Sequence, residues 1–248
     1  MMPQLQAVIE DAYRIFGDYR IRGLLSVCHC KFCMTFENEH RLLNTPLREV
    51  PAALLAEYTA SAHSWDDGPV AREFRYFLPR YLELIAVNDP PDALGLEICL
   101  RRLGTSTWRE TWPQQEQDVI DRFFDVFIVA SLPRLELASW PAGWRLEFDL
   151  ADVLTMVVTA GGQLDRVLAA WDGADDPPAA IHMAAMRSDL VETSEGQYFH
   201  SAYLEDRKEE APRIGAFLTR PEVVSRMEAV FFKIEDQRLQ QLVSDAIY

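Results

Sequence analysis

PQQEQDVIDRFFDVFIVASLPRLELASWPAGWRLEFDL, residues 113–150, carries two periodicities in succession, and the change between them decides the fold class. Val119, Ile120, Phe123, Phe124 and Phe127 recur every three or four residues behind Pro113, the apolar stripe of an amphipathic helix. After Pro133 the period shortens to two. Leu135 and Leu137 alternate with charged residues, and so do Trp144, Leu146, Phe148 and Leu150, with Pro141-Ala142-Gly143 between the runs. Alternation around a turn predicts a β-hairpin near 134–150. A lone hairpin is marginal in water, so this one has to pack on helices.

Outward from that stretch the helical period dominates. Leu5, Val8, Ile9, Ala12, Tyr13 and Phe16 form one stripe, and Thr35 is placed to cap a short helix over Glu37 to Leu43. Pro51 opens a helix with Leu54, Leu55 and Tyr58 inside; Phe74, Phe77, Leu78, Tyr81, Leu82 and Ile85 form another, which Pro79 should kink or restart. Ala93 to Leu103 reads as a helix carrying Cys99 among leucines. Beyond the hairpin, Asp152 to Trp171 is helical with Gly161-Gly162 weakening its middle, and Ala179 to Leu190 is helical again. Glu205 to Glu210 reads as a solvated helix face. Pro221 opens a last long helix reaching Ile247. His182 and His200 sit in apolar helical contexts and read as packing residues.

The expected architecture is a mainly α, irregular helical bundle with one hairpin. Two similar turns, Trp65-Asp66-Asp67-Gly68-Pro69 and Trp171-Asp172-Gly173, keep an α-solenoid as the alternative. Two helical sections, 1–132 and 151–248, flank the hairpin; a single compact domain is the other partition that 248 residues allow.

The formal charge is −15. Such a surface repels phosphate backbones and anionic lipid, which argues against nucleic-acid and membrane binding and favours a basic protein partner. The first residues carry Glu10 and Asp11 and lack the basic and apolar regions of a secretion signal. The run Phe123 to Leu132 is too short to span a bilayer and contains Asp125. A cytoplasmic location follows as the expectation, and there thiols stay reduced.

That expectation bears on Cys28-His29-Cys30-Lys31-Phe32-Cys33. Three soft ligands on one short loop can wrap a zinc ion, with His40 as the natural fourth ligand and His29 a less convenient one. A Cys3His set makes the zinc structural, because no position stays open for water. The same cysteines also fit reduced thiols packed as small hydrophobes, or a redox pair. Cys99 reads as core.

Thr45-Pro46-Leu47-Arg48-Glu49, Glu57-Tyr58 and Phe74-Arg75-Tyr76-Phe77-Leu78-Pro79-Arg80-Tyr81-Leu82-Glu83-Leu84 resemble a family of bacterial proteins of uncharacterised activity. In that family a cysteine-rich stretch precedes a Thr-Pro-Leu-Arg segment and a later segment in which histidine often stands where this chain has Tyr76. The resemblance covers about the first hundred residues. It implies a shared architecture and supplies no mechanism.

Arg75, Arg80 and Glu83 could form a polar site beside Asp66 and Asp67, although ion pairs bracing a kinked helix account for them equally simply. His63 near the same acidic turn has one ingredient of general base chemistry and no nucleophile beside it. There is no phosphate-binding glycine loop, no nucleophile elbow, no H-E-x-x-H and no dinucleotide fingerprint. No residue is therefore assigned a catalytic role. Trp108, Trp112, Trp140 and Trp144 flank the proposed boundary, and aromatics rimmed by acids suit a protein interface. The first functional expectation is a non-catalytic, acidic protein-binding protein of the immunity or adaptor type. The alternative is a zinc-containing enzyme or a thiol or metal sensor built on Cys28 to Cys33.

Overall fold

Most apolar stripes at helical spacing coil, and the chain turns extended at 137–140 and 143–146, within the stretch where the period falls to two. The computed structural model describes residues 2–30, 32–62, 69–141, 143–174, 177–194, 196–207 and 209–247. Two units divide the chain: Met1–Phe127 with Met156–Gln163, and Ile128–Thr155 with Leu164–Tyr248.

In the first unit α1 (Pro3–Ile15) packs on α4 (Pro69–Ala86), and α2 (Phe36–Asn44) packs on α3 (Ala52–Ala60). Thr35 caps α2 as its position predicts, its side chain accepting from the Asn38 amide. Helix α4 runs through Pro79 without restarting. The missing N–H and the ring cost such a helix about 3 kcal/mol. Phe77, Leu78, Tyr81 and Leu82 around it are all fully buried, at roughly 1.5–3 kcal/mol for each large apolar side chain, which outweighs that loss.

The expected helix over 93–103 is not continuous. It is a 3-10 turn at Leu96–Ile98 followed by the single turn α5 (Arg101–Gly104), with Cys99 buried between them. The short α6 (Trp108–Thr111) leads to α7 (Gln114–Ser131), whose buried stripe holds Val119, Ile120, Phe123, Phe124 and Phe127.

The hairpin expected near 134–150 is present as β1 (Leu137–Trp140) and β2 (Gly143–Leu146), antiparallel, with Leu137 opposite Leu146 and Trp140 opposite Gly143. Helix α8 (Leu150–Thr159) follows, and Gly161, at φ 73, lets the chain turn into α9 (Leu164–Asp172). The stretch 152–171 is therefore two helices. The close of α8 is bound within the first unit. Trp108 Nε1 donates to the Ala160 carbonyl at 3.0 Å, and Arg109 Nε to the Gly161 carbonyl at 3.0 Å. A Cβ on Gly104 would stand 1.7 Å from the Thr159 carbonyl oxygen, so only glycine fits that approach.

The second unit is organised on α10 (Pro177–Ser188), which packs against α11 (Glu210–Leu218), α12 (Pro221–Phe231) and α13 (Gln237–Ile247). A second hairpin, β3 (Val191–Thr193) with β4 (Gly196–Tyr198), lies against α11 and was not foreseen. His182 is buried on α10 with Nε2 3.2 Å from the Leu132 carbonyl, a packing residue as read. His200 is not helical; it follows β4 and is exposed. Of the charged run 205–210, Glu205, Asp206 and Glu209 lie in turns and Glu210 begins α11. The single last helix is also two. Asp236 starts α13 by accepting the Arg238 amide at 2.8 Å, which separates it from α12.

Helix lengths from four to eighteen residues make an irregular bundle and not a solenoid of fixed repeats. Among the described residues no helix is long and apolar enough to cross a membrane.

Candidate metal centre

Between α1 and α2 the described residues form no regular structure, and the stretch carries three of the four cysteines, all of them free thiols. Two buried carboxylates fix this loop. Glu39 of α2, 1 % exposed, accepts the Leu25 amide on one oxygen and faces His29 Nε2 at 2.8 Å with the other. Glu73 of α4, 4 % exposed, accepts the Ser26 amide at 2.9 Å and the Ser26 hydroxyl at 3.0 Å. A buried carboxylate left without donors is costly, so both acids act as templates that the loop backbone has to satisfy.

Backbone bonds then shape the thiol turn. The Cys28 amide donates to the Ala62 carbonyl at 2.9 Å and the Cys33 amide to the Cys30 carbonyl at 3.1 Å. Met34 is buried, and its amide donates to Ser61 Oγ at 3.0 Å. The His29 ring stacks on Phe36, centroids 4.0 Å apart.

The wall at Ser61 and Ala62 is itself braced by Arg102, which is 1 % exposed. Its guanidinium donates to the Tyr58, Thr59 and Ser61 carbonyls and lies 4.3 Å over the Tyr58 ring. These carbonyls close α3, where the last acceptors lack helical donors and the dipole favours a cation.

The result is a group of three sulfurs, of Cys28, Cys30 and Cys33, all within 4.8 Å of one another. In a zinc–thiolate tetrahedron the sulfurs stand roughly 3.8 Å apart, given bonds of about 2.3 Å, so a small contraction suffices to hold one ion. Cys30 is exposed and the other two are half-buried. The Phe32 amide, then the neighbouring thiols of Cys33 and Cys28, draw the Cys30 thiol down to about 7. Cys33 moves upward. The Ala62 amide favours its thiolate, but its bonds to Cys30 and Cys28 together with desolvation outweigh that amide.

The structure does not bring His40 into this group. It lies exposed on α2, where its backbone carbonyl accepts from Asn44 Nδ2 at 2.7 Å, and its ring does not approach all three sulfurs within 4.8 Å. The reason is the template: Glu39, one residue earlier, turns inward together with Leu42, which leaves His40 on the outer face of α2.

Of the described residues of the expected polar site, Arg75 pairs apart from Arg80 and Glu83. Arg80 Nη1 meets Glu83 at 2.7 Å, as their spacing predicts, while Arg80 Nε donates to the Val50 carbonyl and Glu83 accepts from Tyr13. Arg75 pairs instead with buried Glu116 at 3.0 Å, lying 4.2 Å over Trp112. Asp66, Asp67 and His63 lie outside the described residues. Cys99 is fully buried, and burial holds its thiol well above the usual range.

Sequence reasoning missed Glu39, Glu73 and Arg102. Glu73 did leave a signal, since it falls three residues after Val70 and next to Phe74, on the face of α4 that is otherwise apolar. No family model, curated protein or solved structure matches the chain, so the resemblance of residues 45–84 rests on its quoted segments alone.

Proposed function

We propose that the chain is a metal–thiolate protein in which Cys28, Cys30 and Cys33 hold one soft ion, zinc first among the candidates. The observation that carries this reading is the convergence of three sulfurs on a loop whose backbone is already fixed by Glu39 and Glu73. Thiolate donors select zinc or copper(I) over hard cations. Three protein ligands leave one tetrahedral position to a further donor, which suits a sensing or exchange role as well as a structural one. A cytosolic setting, where the thiols stay reduced, belongs to the same proposal. Purification without chelator followed by elemental analysis tests it: about one equivalent of metal is expected, lost in Cys30→Ser. Less than about a tenth of an equivalent, even after incubation with zinc, rules the reading out.

A second reading, binding of a basic protein by this anionic chain in the manner of an immunity or adaptor protein, has its own observation. Trp140 and Trp144, on the β1–β2 hairpin, are 53 % and 40 % exposed beside aspartates, whereas Trp108, Trp112 and Trp171 are buried. Exposed tryptophan next to acids is an unusual use of apolar surface unless something covers it. Co-purification of a basic protein that salt displaces is the expected result.

A further inference from the structure

Trp140, Trp144 and Leu146 of the hairpin form a groove of about 260 Å³ with Leu242 and Asp245 of α13 and with Asp189. Its indole faces are covered by the chain's own arginines. Arg145 lies 4.9 Å over Trp140 and Arg238 5.2 Å over Trp144. Arg145 also reaches Asp189, but at 3.4 Å and with both side chains half exposed. A contact that long and that wet is readily exchanged.

We infer that this groove docks a basic polypeptide segment, one lysine or arginine of which displaces Arg145 from Trp140 and Asp189. The inference rests on the basic-partner reading and names its surface. Charge complementarity selects the occupant, because the second unit carries 20 Asp and Glu against 11 Lys and Arg. Long-range attraction therefore brings cations to it. At short range the groove offers an incoming ammonium or guanidinium the two things such a group binds, an indole face and a carboxylate. The floor of Leu146 and Leu242 takes an apolar neighbour of the cation. Arg145 thus stands in for the partner's side chain in the free protein.

The test uses the full chain and an acetylated, amidated ten-residue peptide of lysine, leucine and alanine, followed by anisotropy of a label on the peptide. Its glutamate-for-lysine counterpart and spermidine serve as competitors. Binding that weakens as salt rises is expected, with no competition from either. Trp140→Ala and Asp189→Asn should weaken it about fivefold or more. Arg145→Ala should tighten it about threefold. Arg207→Ala, the same charge change at an exposed site elsewhere in the unit, should tighten it less. Circular dichroism confirms that each variant is folded.

An Arg145→Ala affinity that is unchanged or weaker overturns the displacement, as does equal competition by spermidine or the acidic peptide. Salt-sensitive binding that ignores Trp140→Ala and Asp189→Asn removes the groove while leaving a basic partner in place. No salt-sensitive binding removes both.

Discussion

The cysteine loop and the hairpin groove are both irregular or barely regular pieces of chain, and they are held in opposite ways. The cysteine loop hangs on charges taken out of water: Glu39 on the Leu25 amide and His29, Glu73 on the Ser26 amide and hydroxyl, and Arg102 on three backbone carbonyls. The groove is finished by exposed arginines that touch rings and one long ion pair. Buried charge is expensive to disturb and exposed charge is cheap. An ion demands donors fixed to fractions of an ångström, whereas a polypeptide partner tolerates, and exploits, side chains that move aside. Their supports suit the two surfaces to different ligands.

The largest effect should come from the brace. Arg102→Leu strands the carbonyls at the close of α3 and is expected to lower unfolding stability by about 3 kcal/mol or more, read as the urea midpoint. A loss under about 1 kcal/mol would dissolve the contrast between the two regions. Glu39→Gln keeps the shape and removes the charge facing His29. It should weaken zinc binding about 10- to 100-fold in competition with a chelator. Unchanged affinity would show that the loop needs no preset form.

Trp144→Ala should change stability by less than about 1 kcal/mol, because the residue is 40 % exposed and the guanidinium over its ring belongs to an exposed arginine, and should leave zinc binding untouched. The smallest effect concerns acid. Arg238, through its guanidinium first and its amide second, holds Asp236 at about 2. That is below the roughly 3.9 of an unfolded aspartate, so whatever Asp236 contributes is present above about pH 4 and is lost as pH falls through 2. A carboxyl carbon resonance for Asp236 that titrates near 4 would show Arg238 to be loose, and with it one side of the groove.

Much of the architecture could be read from periodicity alone. The stripe behind Pro113 became α7, whose apolar face is buried, and the alternation after Pro133 became the β1–β2 hairpin, of whose strands only Leu146 is buried. Helix ends were harder to read. Apolar residues persist at helical spacing across 93–103 and across 221–247, yet a backbone turn at Leu96–Ile98 and the carboxylate of Asp236 interrupt both runs. The β3–β4 hairpin has strands of three residues, too short for a period to register. In the cysteine loop the candidate ligands were legible because thiols are rare and clustered. Their supports were not, since a glutamate on a helix looks the same whether it faces water or a buried amide.

The first unit is interrupted in sequence. Trp108 and Arg109 are made early, but the carbonyls they bind belong to Ala160 and Gly161, which arrive only after the hairpin. On the ribosome, where synthesis runs at about 5–20 residues per second, the nascent chain waits roughly 2–7 s between Phe127 and Gln163 with that seam open. The thiols of Cys28, Cys30 and Cys33 have already been synthesised by then, so a metal ion could reach them before the unit that carries them has closed.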